Sequence, residues 1–353
     1  MVKYKKYLVT GGYGFIGSCL LRNLIGQKDV SIVNIDKVTY AANNLALENK
    51  TKGHKHYKKD INDSKFLNKL FKEYEPDCIF HLAAESHVDR SIDNPSDFIN
   101  TNIVGTYNLL NEAYNYWKSL NLRKNDNFRF IHISTDEVYG DAKKDTSFSE
   151  FSPFLPNSPY AASKASADLL VRSWCQTFGF PAIITNSSNN YGKWQFPEKL
   201  IPLTIKKALL KQDIPVYGDG KQVRDWIYVE DHIEGLLSVL NRGKIGDKYN
   251  IASSKEITNL EVVKTICSIL DELEPSPELG KYNNLITFVE DRPGHDKRYS
   301  MNISKITKEL NWSPKVSFVE GIRETIIWYL NNKDWLFNDH QLSYDGRRLG
   351  NLD

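Results

Sequence analysis

A tyrosine and a lysine four residues apart form the first pattern that could do chemistry. Tyr160 and Lys164 stand in the segment YAASK, directly after Pro159. On a helix this spacing puts the phenol and the ammonium on one face, and proline is typical of a helix's first turn. A neighbouring cation favours ionisation of a phenol, whose ordinary pKa is about 10. Tyr160 could then take a hydroxyl proton while a hydride leaves the same carbon, although this spacing also occurs in plain surface pairs.

Two adjacent acids form the second pattern. Asp136 and Glu137 follow Ser134 and Thr135 at the end of an apolar run. The carboxyl ends of parallel strands open onto ligand crevices, and two carboxyls in different environments can act as general acid and general base. Elimination of water beside a ketone needs both groups, because one removes a carbon-bound proton and the other protonates the leaving hydroxyl. A solvated acidic pair between a strand and a loop is the alternative.

A glycine-rich segment near the start of the chain indicates a dinucleotide site. Gly11, Gly14 and Gly17 stand in TGGYGFIG, between an apolar run and a helix-like stretch. Glycines there allow a tight turn and let backbone N–H groups and the positive end of a helix approach a pyrophosphate. The strand-loop-helix context disfavours the alternative, an ordinary glycine-rich turn.

An acidic residue at the end of the second apolar run bears on the choice of cofactor. Asp36 lies nineteen residues after Gly17. A carboxylate at that place can accept hydrogen bonds from the adenosine ribose and disfavours a 2′-phosphate, which favours NAD over NADP. Lys37 works against this preference, because a cation beside the ribose could tolerate a phosphate. A strand-end cap is the other interpretation of Asp36.

Short apolar runs alternate with amphipathic stretches along the chain, and these predict the strands and helices that position the residues above. The runs cover residues 7–10, 30–35, 78–82, 130–134 and 182–185, and covering helices are predicted over 63–74 and 163–178. Alternation of this kind predicts a parallel sheet wrapped by helices. The predicted fold class is α/β, a Rossmann-type doubly wound parallel sheet with a smaller α/β substrate-binding domain.

The pattern changes after residue 192, where interrupted segments carry seven of the thirteen prolines. We predict an NAD-binding Rossmann domain over residues 1–190 and a substrate-binding domain over 191–225 and 253–333. A strand at 226–229 and a helix at 230–241 are predicted to return to the first sheet, within a return segment at 226–252. Residues 334–353, which are polar with scattered aromatics, are predicted to form a C-terminal tail.

Composition excludes several classes of protein. The chain has 353 residues, 41% of them hydrophobic, which is enough to bury a sizeable core. Lys and Arg total 46 against 44 for Asp and Glu, so there is no strong positive field of the kind that duplex nucleic acid requires. The four cysteines are widely spaced and suggest neither a metal site nor a disulfide framework. Because no segment matches a secretory signal or a membrane helix, we expect a cytoplasmic protein that binds no nucleic acid and no membrane.

Several charged residues and histidines have more than one interpretation. Leu82, Ala83 and Ala84 end an apolar run and could line a nicotinamide, with Ser86 beside a sugar. His87 follows them, and a packed or helix-capping histidine is a safer interpretation than a catalytic one. His54 and His56 lie beside lysines and are predicted at the surface. Lys199, Arg224 and Arg292 could each face a diphosphate, although any single one fits a surface charge as well.

Taken together, the motifs resemble those of the extended short-chain dehydrogenase/reductase family, and within it those of the nucleotide-sugar 4,6-dehydratases. The resemblance extends over nearly the whole chain. Besides TGGYGFIG and SPYAASK, the matching segments include DKVTY, HLAAESHVDRSI, HISTDEVYGD, NSSNNYG, FPEKLIP, RDW and EDRPGH. Tyr13 departs from the small residue that is usual in the glycine loop. The resemblance implies that Tyr160 with Lys164 oxidises carbon 4 of a hexose, that Thr135 holds the reacting hydroxyl, and that Asp136 is the acid and Glu137 the base.

The same resemblance implies the contacts of cofactor and substrate, and no metal. The implied NAD contacts are Gly11, Gly14, Phe15, Ile16, Gly17, Asp36, Lys37, Thr39, Asp60, Ile61, Leu82, Ala83, Ala84, Thr101, Tyr160, Lys164 and Asn190. The implied nucleotide-sugar contacts are Ser86, Thr135, Asn189, Lys199, Leu200, Tyr217, Arg224, Asn259, Arg292 and His295. It also implies a homodimer, formed through helices over residues 94–116 and 163–178.

The implied reaction converts dTDP-glucose to dTDP-4-keto-6-deoxyglucose and water. Oxidation at carbon 4 is followed by elimination across carbons 5 and 6, and the hydride returns to carbon 6. A dehydratase of UDP- or GDP-sugars and a nucleotide-sugar epimerase are the enzymatic alternatives, although an epimerase has no need of both acids. The remaining alternative is an NAD-sensing regulatory protein, which would have no reason to retain Tyr160, Lys164 and the two acids together.

Overall fold

The predicted apolar runs become strands of one parallel sheet. The computed structural model describes residues 4–48 and 53–337. The strands found there are β1 (Lys6–Thr10), β2 (Ser31–Asp36), β3 (His54–Lys58), β4 (Cys78–His81), β5 (Arg129–Thr135), β6 (Ala182–Ser187), β7 (Asn189–Tyr191), β8 (Ile214–Tyr217), β9 (Val223–Tyr228), β10 (Lys248–Ile251), β11 (Glu256–Thr258) and β12 (Ile286–Val289). All five predicted runs coincide with strands, to within two residues at each end.

Helices occupy most of the intervening chain. They are α1 (Phe15–Leu24), α2 (Ser64–Tyr74), α3 (Val88–Asp93), α4 (Pro95–Phe98), α5 (Thr106–Ser119), α6 (Leu122–Asn127), α7 (Pro159–Phe178), α8 (Leu200–Leu209), α9 (Val229–Arg242), α10 (Asn259–Leu273), α11 (Ser304–Leu310), α12 (Phe318–Asn331) and α13 (Lys333–Phe337). A π-helical segment, Ile99–Gly105, joins α4 to α5. Within the described ranges, every helix is too short or too polar to cross a lipid bilayer.

The main sheet has seven strands in the order β10-β6-β5-β4-β1-β2-β3, and every neighbouring pair is parallel. The strand order reverses between β1 and β4, which is the place where doubly wound sheets bind ligands. One face packs on α1, α9 and α11, and the other packs on α2, α5 and α7, each through its own apolar core. The predicted doubly wound sheet is confirmed.

Strand β3 was not predicted, because its sequence HKHYK is polar and lacks an apolar run. It pairs with β2 at the edge of the sheet, where lysines discourage further strand pairing. The prediction that His54 and His56 lie at the surface is wrong. Both are half-buried in β3, and His56 Nδ1 lies 3.2 Å from the Asn34 side-chain nitrogen.

Two small sheets and a second core belong to the later part of the chain. The first has the order β11-β9-β7 and the second pairs β12 with β8, and α8, α10 and α12 pack around them. The prediction that a strand at 226–229 returns to the main sheet is wrong. Trp226 and Tyr228 of β9 lie in the second core, whereas α9 and β10 do return, with β10 pairing with β6.

The C-terminal end of the described chain is packed. Leu336 of α13 is fully buried in the second core, so the first residues of the predicted tail are helical. Residues 338–353 lie outside the described residues. The division of the chain at residues 190, 225, 252 and 333 stays a prediction.

Candidate active site

One cleft opens at the carboxyl ends of β1, β4, β5 and β6, between the main sheet and the smaller sheets. Its cavity volume is about 460 Å³. Every residue predicted to contact cofactor or substrate, and every predicted catalytic residue, lines this cleft. Separate segments of sequence, from the glycine loop to the EDRPGH segment, are therefore brought to one place by the fold.

The glycine loop meets the requirements for a bound pyrophosphate. Gly11 has φ +74°, and a Cβ there would lie 2.6 Å from the Ala83 nitrogen. A Cβ on Gly17 would lie 2.2 Å from the Gly11 carbonyl oxygen, so the loop and helix α1 can be this close only with glycine. Gly14 caps α1 without a side-chain hydrogen bond, which leaves backbone N–H groups of the first turn for a ligand.

Asp36 both ends its strand and faces the cleft. Its two carboxylate oxygens accept the N–H groups of Val38 and Tyr13, each at 2.8 Å. Each oxygen keeps a second lone pair for a ligand, so a capping role and a binding role are compatible. Lys37 forms an ion pair with Asp60 at 2.9 Å. Its charge is therefore partly neutralised, which weakens the argument that it would hold a 2′-phosphate.

The tyrosine and the lysine lie on α7, one turn apart, as the spacing predicted. Ser158 caps the helix by accepting the Ala161 N–H, and Pro159 occupies its first turn. Tyr160 is 8% exposed. Burial raises the pKa of Tyr160, the carboxylates of Glu137, Asp136 and Asp168 raise it further, and a hydrogen bond with Thr135 lowers it. Burial and the nearby carboxylates thus oppose the phenolate, so ionisation requires positive charge brought close to the phenol.

Lys164 can supply that charge. Its Nζ donates a hydrogen bond to the Ile133 carbonyl oxygen at 2.8 Å, which holds the ammonium at the end of β5. Burial lowers the pKa of Lys164 to about 8, and the carboxylate of Asp168 acts in the opposite direction. At neutral pH the lysine therefore remains largely protonated.

The two acids occupy a 3₁₀ turn, Asp136–Tyr139, immediately after β5. Burial raises the pKa of Asp136 well above its usual range, and the nearby carboxylates of Glu137 and Asp225 raise it further. Burial also raises the pKa of Glu137, but Arg292, Arg224 and Lys199 all lower it. The two environments separate the carboxyls into one that holds its proton and one that gives it up more readily.

Cations from the later part of the chain line the opposite wall of the cleft. Lys199 donates to the Ser86 carbonyl oxygen at 2.9 Å, which ties α8 to the end of β4. The Arg292 guanidinium is ion-paired with Asp89. Arg224 lies over the Tyr299 ring at 4.2 Å and is 4% exposed. Two arginines and a lysine around one space suit a diphosphate.

Some functional side chains were missed or left open by the sequence. His87 caps α3 by accepting the Arg90 N–H, so the interpretation as a helix cap is confirmed. Asp89 and Glu198 line the cleft and hold Arg292 and Arg90, respectively, but were not singled out. Their only sequence signal was their place inside HLAAESHVDRSI and FPEKLIP. The described residues contain no group of three or more His, Cys, Asp or Glu side chains placed to hold a metal ion.

Comparison with known proteins agrees with this geometry. The sequence model of the family described as GDP-mannose 4,6 dehydratase matches residues 8–325. The dTDP-glucose 4,6-dehydratase of Haemophilus influenzae is 53% identical over 330 residues, which are 92% of this chain and 98% of the relative. That of Neisseria meningitidis is 51% identical over 351 residues, covering 98% and 99% of the two chains.

A solved structure has the same fold over nearly the same length. DesIV, a dTDP-glucose 4,6-dehydratase from Streptomyces venezuelae solved with NAD bound, aligns with a TM-score of 0.84 and 40% identity, covering 94% of this chain and 98% of that one. Similarity therefore extends through the sheet, the cleft and the second core. The chain belongs to the family of nucleotide-sugar 4,6-dehydratases that includes the dTDP-glucose 4,6-dehydratases.

Proposed function

We propose that this hydro-lyase converts dTDP-glucose to dTDP-4-keto-6-deoxyglucose and water. One observation carries the proposal: the Tyr160–Lys164 pair and two carboxyls of unequal acidity line a single cleft. A tyrosine and a lysine serve oxidation of an alcohol, whereas the carboxyls serve elimination from the resulting ketone. A dehydratase needs both sets of groups around the same hexose.

The residues at one end of the cleft fit NAD. The glycine loop leaves no room for a Cβ at Gly11 or Gly17, and the uncapped start of α1 offers N–H groups to a pyrophosphate. Asp36 would bind the adenosine ribose, and the pairing of Lys37 with Asp60 favours NAD over NADP. When bound there, NAD would supply a reversible hydride acceptor for carbons 4 and 6 of the hexose.

The protein's own groups move the protons. Tyr160 accepts the proton of the carbon 4 hydroxyl, with Thr135 holding that hydroxyl in place and Lys164 stabilising the phenolate. Glu137, whose pKa is raised by burial but held down by three cations, removes the proton on carbon 5, which the adjacent ketone has made acidic. Asp136, whose pKa is raised well above its usual range, protonates the departing carbon 6 hydroxyl.

The other wall of the cleft binds the rest of the substrate. Lys199, Arg224 and Arg292 would take the diphosphate, and Asn189, Leu200, Tyr217, Asn259 and His295 the sugar and the nucleoside. An epimerase of the same fold would not need the second carboxyl. A UDP- or GDP-sugar dehydratase would use the same wall. The proposed preference for a dTDP-sugar is therefore inferred from the relatives and not from any contact of this cleft.

The function is tested by product analysis with dTDP-, UDP- and GDP-hexoses side by side. We expect dTDP-glucose to give the 4-keto-6-deoxy product fastest, with no net build-up of reduced cofactor because the hydride is returned within each turnover. Stoichiometric reduction of added NAD would instead identify an ordinary dehydrogenase. A 4-epimer as the product would identify an epimerase.

We further propose that the enzyme is a cytoplasmic homodimer, formed through α7 and the segment from α4 to α5. The cysteines are free, which suits a reducing compartment. Tyr107 packs edge-on against Trp174 at 6.0 Å, so the two segments form one surface. Large apolar side chains remain exposed on that surface. They are Ile99 (50%), Val104 (42%), Tyr107 (45%), Leu169 (55%) and Phe178 (44%).

Leu169→Glu is expected to convert the dimer to a monomer, because it places a charge on the most exposed apolar side chain of this surface. Light scattering after size exclusion would report the mass. Leu122→Glu is the matched control, since Leu122 is 85% exposed and lies outside both segments. A dimer that survives Leu169→Glu, or a wild-type chain that is monomeric, would contradict this interface.

A further inference from the structure

A carboxylate lies in the interior of the protein beyond the Tyr160–Lys164 pair. Asp168 follows Lys164 by four residues on α7, so the two side chains share one face of the helix. Asp168 is 1% exposed and does not line the cleft. It cannot touch the substrate, yet a charged group is costly to bury unless something compensates it.

The hydrogen-bond partners of Asp168 are neutral. One carboxylate oxygen accepts from His132 Nε2 at 3.1 Å, and the other accepts from the Asn186 amide at 2.9 Å. Burial lowers the pKa of His132. Its Nδ1 is buried with no hydrogen-bond partner in the described part of the chain, as expected for a ring that carries its proton on Nε2. These partners fix the carboxylate in place without neutralising its charge.

The charges that face Asp168 come from several elements. Lys164 on α7 and Lys248 on β10 are the cations. In both lysines, the Asp168 carboxylate raises the pKa more than any other nearby group does. The other titratable groups around it are His132 on β5, which also contacts His81 on β4, and two tyrosines, Tyr139 and Tyr160, whose pKa values the Asp168 carboxylate raises. Lys248 also lies 4.5 Å from the Phe154 ring centre, whereas Lys164 is buried.

We propose that Asp168 is a positioning residue: it is the buried counter-ion that keeps Lys164 protonated, one helical turn from Tyr160. The carboxylate is held by His132 and Asn186, neither of which lines the cleft. Asn186 also donates to the Thr135 carbonyl oxygen at 3.1 Å, so the same amide ties Asp168 to the strand end that carries the acids. This inference rests on the proposed roles of Tyr160 and Lys164.

The first test is a double-mutant cycle read by thermal unfolding, which requires no activity. Lys164→Met alone leaves the Asp168 carboxylate buried with one of its two facing cations removed and is expected to lower the Tm. Adding Asp168→Asn removes that charge while keeping a side chain of the same shape. The double variant should therefore unfold at a higher temperature than Lys164→Met alone.

If Asp168→Asn lowers the Tm in the Lys164→Met background as much as in the wild type, the two charges are not coupled and the proposal is overturned. The decisive comparison is between two variants that both carry Lys164→Met, so an unstable Asp168→Asn single variant does not prevent the test. Lys248→Met is the matched control. Because Lys248 is only half-buried and stacks on aromatic rings, Asp168→Asn should give a smaller rescue in that background.

The second test is the pH dependence of turnover. Without the Asp168 charge, Lys164 should lose its proton at lower pH, so the alkaline limb of the kcat profile should move down by about one pH unit in Asp168→Asn. A purely structural role would lower kcat equally at every pH and leave this limb in place. An unmoved or upward-shifted alkaline limb overturns the proposal.

The two tests separate this inference from the proposed function. If the wild-type protein fails to dehydrate any nucleotide hexose, the proposed function falls, while the unfolding cycle still reports whether Asp168 and Lys164 are coupled. If turnover is as proposed but the cycle is additive, only the role of Asp168 falls.

Discussion

Replacing Glu137 by Gln is expected to slow dehydration by about 10²- to 10⁴-fold while leaving oxidation at carbon 4 nearly intact. Gln keeps the size and shape of the side chain but cannot accept the carbon 5 proton. Oxidation depends on Tyr160 and Lys164, which keep their side chains, and loss of the Glu137 charge removes one of the causes that raise the pKa of Tyr160. A single turnover with dTDP-glucose should therefore build up reduced cofactor that decays slowly, whereas the wild-type enzyme should show only a small transient.

The matched control is Asp136→Asn, which removes the proposed acid from the neighbouring position. It should also slow elimination, because the carbon 6 hydroxyl must then leave without a proton donor. The two variants should differ in isotope exchange: Asp136→Asn keeps the base and should still exchange the carbon 5 proton of the keto-sugar with solvent, and Glu137→Gln should not. Equal slowing of oxidation and dehydration in Glu137→Gln would remove its assignment as the carbon 5 base.

The environments of the two acids explain why one residue cannot do both tasks. Asp136 faces the carboxylates of Glu137 and Asp225. Because their negative charge disfavours a second carboxylate, Asp136 keeps its proton. Glu137 faces Arg292, Arg224 and Lys199, which come from the later part of the chain. The substrate's diphosphate would draw on the same cations. Binding of the nucleotide therefore reduces their effect on Glu137 and makes it a stronger base once the substrate is in place.

The main sheet was predictable from the sequence because its central strands are buried on both faces and are therefore rich in apolar residues. β4 and β6 are buried at every position. The exceptions are instructive. β3 is a polar edge strand, and β9 is buried like a central strand but pairs with β7, because Trp226 and Tyr228 pack in the second core. The apolar pattern of a segment predicts a strand, but it does not predict which sheet that strand joins.

The site was predictable to the extent that its residues lie in recognisable motifs, and every one of those residues lines the cleft. What the sequence could not provide is the pairing between motifs. Asp89 contacts Arg292, which lies 203 residues away along the chain, and Glu198 contacts Arg90, 108 residues away. The pKa of Tyr160 was expected to fall beside Lys164, yet burial raises it. Burial depends on the whole fold, so a local motif could not reveal it.

Tyr160→Phe is expected to lower kcat by about 10³-fold and to leave no reduced cofactor in a single turnover. The change removes one oxygen and keeps the ring, which packs edge-on against Phe98 at 6.2 Å. Folding should therefore be preserved, while the carbon 4 hydroxyl loses the group that accepts its proton. Tyr139→Phe is the matched control: Tyr139 is buried and bonds Asn250 at 3.0 Å, but it does not line the cleft.

Oxidation precedes elimination, and this order determines how a variant that combines Tyr160→Phe with Glu137→Gln should behave. Tyr160→Phe blocks oxidation, so the ketone that Glu137 acts on never forms. The double variant with Glu137→Gln should therefore behave like Tyr160→Phe alone, without the build-up of reduced cofactor that marks Glu137→Gln. Supplying the 4-keto sugar from outside should bypass the first block, and Tyr160→Phe should then exchange the carbon 5 proton at a rate near that of the wild type. Exchange that stays as slow as turnover would place Tyr160 in the elimination step as well.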